Sequence, residues 1–249
     1  MDLLDKLSHY LESSLYPEAS SSPELQKEPY PFITISREIG AGAHSLANQL
    51  LEDMAKEREP LFSGWQVFDA AFCARLLENS KIQASLDMLQ REITRSPWEE
   101  TVYRLAGGPA DSDTVFQKTI QAMRVLAKMG KLIVIGRGGA CATARLPGGI
   151  HVRLVAPIPF RTRRLRERLQ TTESNAKHLI KEYDTERAKF VRAHFGQDVR
   201  DPLLYHATWN TEQVPIREIS TWLLGMVKAR APHRPYIQYD ESHSPSQSN

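Results

Sequence analysis

The sequence predicts an α/β protein in which helices cover both faces of a parallel β-sheet. Five short apolar runs that fit buried strands alternate with longer stretches whose apolar residues recur at helical spacing. Such alternation is typical of parallel sheets, because a crossover helix must join each pair of parallel strands. Glycine, arginine and aspartate residues follow three of these strands, and ligands bind at the carboxyl ends of strands in such sheets. We therefore expect a functional site at that edge.

The predicted domain spans residues 31–230 and lies between two tails. Residues 1–16 have apolar side chains at helical spacing and predict a short amphipathic helix, and residues 17–30 form a Pro/Ser-containing linker. Residues 231–249 are rich in Pro, Ser and His, which predicts a disordered tail. We find no internal repeat.

The composition is that of an ordinary globular protein, with 41% apolar residues, 25% charged residues and a net charge of +2. This charge balance gives no indication of a nucleic-acid or membrane partner. Cys73 and Cys141 are far apart and match neither a zinc site nor a disulfide framework. The amino terminus lacks a signal-peptide pattern, so we expect a cytoplasmic protein. A homodimer is left open.

The first half of the predicted domain has two strands. Residues 31–35 (PFITI) form the first strand, which leads into a glycine loop and a helix that ends near residue 58. Residues 65–68 (WQVF) form the second strand and are followed by a helix over residues 70–79. Residues 81–112 are polar and irregular, with a Gly-Gly-Pro breaker at residues 107–109.

The second half continues the alternation. A helix capped by Asp111 or Asp113 runs to residue 129, and residues 132–135 (LIVI) form the third strand. Residues 150–156 form the fourth strand and residues 205–210 the fifth. Helices are predicted over residues 158–170, 173–195 and 215–229.

The glycine loop after the first strand has the features of a phosphate-binding turn. Gly40 and Gly42 allow the backbone to approach a phosphate, and the N–H groups at the start of the next helix favour an anion. A tight turn without a ligand is the alternative. The loop lacks the lysine of a Walker A motif, for which Arg37 and His44 are the nearby substitutes. Ser45 either offers its hydroxyl to Mg²⁺ or caps the helix.

The loop and its surroundings resemble the cytidylate kinase-like family. The resemblance begins in ITISREIGAGAHSLANQL and VFDAAFCARLL, and it continues in LIVIGRGGACATA and IHVRLVAPIPFRTRRL. It ends in AKHLIKEYDTERAKFVRAHFG and DPLLYHATWNT, so it covers roughly residues 31–230. The resemblance implies a P-loop kinase-like three-layer sandwich with a five-stranded parallel sheet, a helical insertion that binds a nucleoside monophosphate (NMP), and an arginine-rich lid.

The resemblance also implies roles for individual residues. The phosphates of ATP would be bound by the loop residues Gly40, Ala41, Gly42, Ala43, His44 and Ser45, with Ser45 on Mg²⁺. Arg161 and Arg164 match lid arginines and would supply catalytic charge, to which Arg37, as the nearby substitute for the missing lysine, would add. The acceptor would be held by Asp69, Arg75, Arg137, Asp184 and Arg187. Two of these have local alternatives, since Asp69 could cap the following helix and Asp184 could simply pair with Arg187.

The chain departs from the family pattern at three places. Ala43-His44 replaces the Gly-Arg of the family loop, Gly138 replaces the aspartate of its Gly-Arg-Asp motif, and Ala70-Ala71 replaces the Thr-Gly after Asp69. These changes affect the residues that the family uses for phosphate, base and ribose. The resemblance therefore indicates the fold more firmly than the acceptor.

Residues 161–168 carry five arginines and one glutamate. Arg161, Arg164 and Arg168 fall on one helical face, and arginine suits phosphate because its planar guanidinium makes bidentate hydrogen bonds. The predicted helix is either a lid that closes over the transferred phosphoryl group or a solvated basic face that pairs with the acidic helix after it.

Three functions fit these observations. The first is ATP-dependent phosphoryl transfer to a nucleoside monophosphate such as CMP, or to a similar small acceptor, with Mg²⁺. The second is a catalytically weak or inactive pseudokinase that binds nucleotide as a structural or regulatory ligand, which the missing lysine favours. The third is a kinase for an acceptor that is not a nucleotide.

Overall fold

The computed structural model describes Asp5 and residues 30–69, 72, 82, 110–136 and 138–231, with only the backbone for residues 110–115. Several sequence predictions lie outside these residues. They are the amphipathic helix over residues 1–16, most of the helix over residues 70–79, the helical NMP-binding insertion and the disordered tail.

Five strands form one sheet in the order β2-β3-β1-β4-β5, and all the neighbouring strands are parallel. The strands are β1 (Phe32–Arg37), β2 (Gln66–Phe68), β3 (Leu132–Ile135), β4 (Gly149–Val155) and β5 (Ala207–Asn210). This confirms the predicted five-stranded parallel sheet. The fifth strand begins two residues later than predicted, because residues 202–204 form a 3₁₀ turn just before it.

Six α-helices connect and cover the strands in the described part of the chain. They are α1 (Ala43–Lys56), α2 (Ala110–Met129), α3 (Gly139–Ala142), α4 (Ile158–Leu169), α5 (Glu173–Phe195) and α6 (Ile216–Ala229). The bounds of α4, α5 and α6 agree with the sequence predictions to within one residue. The start of α5 is capped by the Thr172 side chain, which accepts the Asn175 N–H, and the helix ends at Gly196 in the left-handed region. The single-turn α3 was not predicted, since four residues carry too little periodicity.

The alternation of side chains along β1 places a different core on each face of the sheet. Ile33 and Ile35 belong to a cluster with α1 and α6, whereas Phe32 belongs to a cluster with α2. Because successive residues of a strand point to opposite faces, an apolar strand such as β1 can be buried on both sides. The result is a three-layer α/β sandwich. In the described residues, no helix is both long and apolar enough to cross a bilayer.

A buried histidine on β4, His151, contacts an exposed one, His206, just before β5. His151 is 6% exposed, and its Nδ1 lies 2.9 Å from the Thr34 hydroxyl on β1. Its backbone N–H donates to His206 Nδ1 at 2.9 Å. Burial, followed by the neighbouring His206 and Arg230, lowers the pKa of His151 from its ordinary value of 6.5 to about 4. His151 is therefore neutral at pH 7.

Acidification is expected to destabilise the protein through His151. The unfolded state, with an ordinary histidine pKa, binds the proton more readily than the folded state does. The stabilisation is therefore complete above pH 6.5 and is lost as the pH falls toward the folded pKa near 4. A shift of this size corresponds to at most about 3 kcal/mol of unfolding free energy. Urea unfolding at a series of pH values from about 7 to about 4.5 measures this loss.

The control is His151→Gln, which removes the titrating group and keeps a polar side chain. The difference in unfolding free energy between the wild type and this variant should shrink as the pH falls. A constant difference over the whole range would show that His151 does not titrate on unfolding.

Candidate functional site

The glycine loop joins β1 to α1 and packs directly against α4. Gly40 and Gly42 have φ angles of 81° and 95°, in the left-handed region that favours glycine. A Cβ at Gly40 would lie 3.0 Å from the Arg161 Cβ, and a Cβ at Gly42 would lie 3.0 Å from Arg164 Nη1. The two glycines therefore allow both the turn and the close approach of the arginine-rich helix.

The first turn of α1 has the properties of an anion site. Gly42 is the residue before the helix and brings no side chain that could cap it. The N–H groups of Ala43, His44 and Ser45 lack acceptors within the helix, since the first bond runs from Leu46 N–H to Gly42 O at 2.9 Å. No acidic residue lies in this turn, so the positive end of the helix dipole is not compensated locally.

Positive charge converges on His44, beside this turn. Its pKa is lowered first by burial and then by the charges of Arg37 and Arg168, with a further lowering by Arg187. Asp69 acts in the opposite direction. Three arginines and one carboxylate therefore act on the same imidazole, and the surroundings of His44 carry net positive charge. Such a site favours phosphate groups.

Arg164 adds a fourth cation at the glycine loop. Its guanidinium lies over Gly42, and its Nη2 is 3.5 Å from the Ser45 hydroxyl. It also lies over the ring of Phe160, with 5.6 Å between the guanidinium carbon and the ring centroid. Arg164 is therefore held beside the first turn of α1. A phosphate bound at that turn would contact both the Arg164 guanidinium and the backbone N–H groups of the turn.

Arg37 extends from the end of β1 toward the end of β3. A Cβ at Gly136 would overlap the Arg37 guanidinium, so this glycine leaves the space that the arginine occupies. Gly136 itself has a φ of 73°. The side chain thus lies along the carboxyl edge of the sheet, on the side of the predicted acceptor residues. Arg137 and Arg75 lie outside the described residues.

Arg161 differs from Arg164 in being 5% exposed. Its Nε donates to the Ala156 carbonyl at 2.7 Å and lies 3.5 Å from Glu38 Oε2. Its Nη1 donates to Asp184 Oδ2 at 2.6 Å and to the Ile39 carbonyl at 3.3 Å. The guanidinium is therefore surrounded by protein acceptors behind the glycine loop.

Asp184 and Arg187 pair on α5, at 3.3 Å between Oδ1 and Nη1. The Asp184 carboxylate also contacts the glycine loop, since its Oδ1 accepts the Ile39 N–H at 2.8 Å. Burial lowers the pKa of Arg187, while Asp184 opposes this shift.

Asp69 follows β2 and caps the chain segment after it. Its carboxylate accepts the Phe72 N–H at 3.0 Å in the manner of a helix cap.

Two charged residues of this region were not singled out from the sequence. Glu38 accepts the Ala156 N–H at 3.2 Å and contacts both Arg161 and Arg153. Arg153 is 6% exposed, and its Nη1 donates to the Ser36 hydroxyl at 3.5 Å. The signal for Arg153 was present in the sequence, because an arginine in an otherwise apolar strand needs a partner when it is buried.

The candidate oxygen ligand for a metal at this site is the Ser45 hydroxyl. The residues that the structure describes contain no group of three or more His, Cys, Asp or Glu side chains that could hold an ion. Magnesium commonly binds through substrate phosphates, water and one or two protein oxygens. The exposed Ser45 hydroxyl beside the first turn of α1 is an oxygen of this kind.

Comparison with known proteins agrees with the resemblance seen in the sequence. A sequence model described as the cytidylate kinase-like family matches residues 32–213, which is well over half of the chain. No curated protein matches the sequence. An uncharacterized protein from Eubacterium ventriosum has a similar structure, with a TM-score of 0.63 and 16% identity over 80% of this chain and 99% of that one. At this identity the likeness concerns the fold alone.

Two shikimate kinases are more distant structural neighbours. The enzyme from Acinetobacter baumannii, solved with shikimate, has a TM-score of 0.43 and 17% identity over 81% of this chain and 95% of its own. The enzyme from Bacteroides thetaiotaomicron has a TM-score of 0.41 and 15% identity over 80% of this chain and 98% of its own.

The sheet order, the glycine loop and the family match agree with one another. They describe a P-loop kinase-like α/β fold and support nucleotide-dependent phosphotransfer at a coarse level. The chain belongs to the cytidylate kinase-like family.

Proposed function

We propose that the protein catalyses ATP-dependent phosphoryl transfer to a nucleoside monophosphate such as CMP, or to a similar small acceptor, with Mg²⁺. The observation that carries the proposal is the convergence of arginine side chains on the first turn of α1. Arg37, Arg168 and Arg187 act on His44, and Arg164 lies over Gly42. Phosphoryl transfer depends mainly on positioning and on cations that stabilise the charge of the transferred group.

In this proposal, the loop residues 40–45 hold the phosphates of ATP. Their backbone N–H groups and the helix dipole favour the anion, as a Walker loop would, and Arg164 supplies the cation that a loop lysine supplies elsewhere. When bound, ATP provides the phosphoryl group, and Mg²⁺ neutralises charge between its phosphates. Ser45 is the residue that would bind the ion.

In this proposal, ATP lies on one side of Arg37, at the glycine loop, and the acceptor binds on the opposite side, toward Asp69 and Arg187. Both charges act on His44, so a small acceptor between them could bring its oxygen to the loop. Arg75 and Arg137 are proposed to bind the acceptor phosphate. The bond between the acceptor oxygen and the γ-phosphorus forms while the bond from that phosphorus to the β–γ bridging oxygen breaks. Arg37 and Arg164 stabilise the charge on the oxygens in transit.

Arg161 takes a different part from the one expected of a lid arginine. Its guanidinium already pairs with Asp184 and Glu38, and it is 5% exposed. We therefore assign it the positioning of the glycine loop, without contact with phosphate.

The direct test is calorimetric titration of the full chain with ATP, with and without Mg²⁺, followed by CMP on the same sample. Micromolar ATP binding that strengthens with Mg²⁺ would support the proposal, and a screen of acceptors by ADP release would then name the substrate. Nucleotide binding without turnover on any acceptor would favour the pseudokinase, which the missing loop lysine also favours. No binding of either ligand would contradict the proposal.

Arg164→Ala should weaken ATP binding about tenfold, because a charged hydrogen bond to phosphate is lost. The matched control is Arg163→Ala, one residue away on the same helix. The Arg163 side chain is exposed and packs on Phe160, at 5.4 Å between the guanidinium carbon and the ring centroid. Calorimetry on the two variants separates a site contact from the general loss of one positive charge. Equal weakening in both variants would rule out a specific contact of Arg164 with ATP.

A further inference from the structure

The carboxylate of Asp184 lies where the glycine loop, α4 and α5 meet. Its Oδ1 accepts the Ile39 N–H at 2.8 Å and the Arg187 guanidinium at 3.3 Å, and its Oδ2 accepts Arg161 Nη1 at 2.6 Å. One side chain on α5 is therefore bonded to the loop backbone, to the helix behind the loop and to an arginine of the candidate site.

These contacts continue as a series of alternating charges. Glu38 lies between Arg153 and Arg161, at 3.9 Å and 3.5 Å, and Asp184 lies between Arg161 and Arg187. Each carboxylate also accepts one backbone N–H, that of Ala156 for Glu38 and that of Ile39 for Asp184. Glu38 and Ile39 are thus each hydrogen-bonded to a neighbouring element. These bonds restrain the backbone where it enters the glycine loop.

The side chain of Ile39 provides a second attachment. It packs against a small apolar cluster between α4 and α5, formed by Leu165, Ala176 and Ile180. The apolar contact places the loop against the helix pair, and the hydrogen bond to Asp184 sets the direction of the Ile39 N–H. Together the two contacts restrain the backbone before Gly40.

We propose that Asp184 is a positioning residue, which orders the glycine loop through Ile39 and orients Arg187 without touching a substrate. It would thereby connect the loop that holds the donor phosphates to an arginine on the acceptor side. The role in ordering the loop stands on the contacts alone, whereas the effect on ligand binding rests on the proposed function.

The proposal predicts the opposite change in ATP affinity from the one expected if Asp184 acted only through its negative charge. Removal of a carboxylate beside an anion site should strengthen phosphate binding, because less negative charge repels the ligand. Loss of a positioning residue should weaken binding, because the loop N–H groups are no longer held in place. Asp184→Asn therefore gives opposite results under the two explanations.

The test compares Asp184→Asn with Glu186→Gln in the full chain. Glu186 is exposed, lies two residues away on α5 and also acts on Arg187, so its variant removes the same charge without disturbing the loop. Two measurements are made on each variant, hydrogen exchange of the Ile39 amide and titration with Mg-ATP. We expect faster Ile39 exchange and about tenfold weaker ATP binding in Asp184→Asn, and neither change in Glu186→Gln.

Unchanged Ile39 exchange in Asp184→Asn, or ATP binding as tight as in Glu186→Gln, would overturn the proposal. If Asp184→Asn does not fold, Asp184→Glu, which keeps the charge and displaces it by one methylene, takes its place in both measurements. If the wild type binds no ATP, the proposed function fails. The exchange of Ile39 alone then decides whether Asp184 orders the loop.

Discussion

Arg161→Met is expected to lower the free energy of unfolding by about 1–3 kcal/mol, because it removes the buried cation between two partly buried carboxylates, each of which keeps a second arginine. The side chain is 5% exposed and lies between two carboxylates, Glu38 and Asp184. Methionine fills a similar space but cannot pair with them, so each acid would retain one arginine partner, Arg153 for Glu38 and Arg187 for Asp184. Urea unfolding at pH 7 measures the change as a lower midpoint at constant slope.

Two further variants separate the ionic network from the helix that carries it. Arg163→Met changes an exposed side chain of α4 and should alter stability by no more than about 0.5 kcal/mol. Arg161→Lys keeps the charge and loses the planar guanidinium, so it should fall between the wild type and methionine. A methionine variant as stable as the wild type would show that hydrophobic packing replaces the network, as it can in other proteins.

Gly136→Ala is expected to reduce turnover about a hundredfold, because the new methyl group would displace Arg37. The Cβ would overlap the Arg37 guanidinium, which lies at the carboxyl edge of the sheet where phosphoryl transfer is proposed. The residue also has a φ of 73°, so alanine adds backbone strain of about 1–2 kcal/mol. Turnover is measured with the acceptor that the screen identifies, and ATP binding serves as a second measurement.

A second glycine separates the displacement of Arg37 from the backbone strain. Gly196 has a φ of 65°, and a Cβ there would meet nothing within 4 Å. Gly196→Ala therefore introduces the strain of the left-handed region without displacing a neighbour. It should lose stability and keep its turnover. If Gly136→Ala behaves in the same way, Arg37 does not need its present position for the reaction.

Much of the fold could be predicted because each element is marked by local pattern. Apolar runs of four to seven residues gave the strands, and α5 lies where its helical spacing placed it. The unpredicted α3 and the late start of β5 have a common reason. Both concern segments of three or four residues, where backbone hydrogen bonds rather than periodicity decide the conformation.

The sequence singled out the glycine loop and the arginine-rich helix, but it did not show how their charges are used. The glycine loop and Arg164 lie together as the sequence suggested, because the loop and the helix each carry a local motif. The burial of Arg161 could not be predicted from α4 alone. Its partners, Glu38 and Asp184, are more than twenty residues away along the chain, and spacing within one helix does not distinguish a buried arginine from an exposed one.

The linear order of residues was sufficient for the parallel sheet, the position of the glycine loop between the first strand and its helix, and the family, since these depend on short motifs and their succession. The assignment of each charged residue to structure or to ligand depended on packing. Asp184 and Arg187 are three residues apart on one helix, yet one is bonded to the glycine loop and the other acts on His44. Such roles depend on which distant groups lie within hydrogen-bonding distance, and the folded chain alone sets those distances.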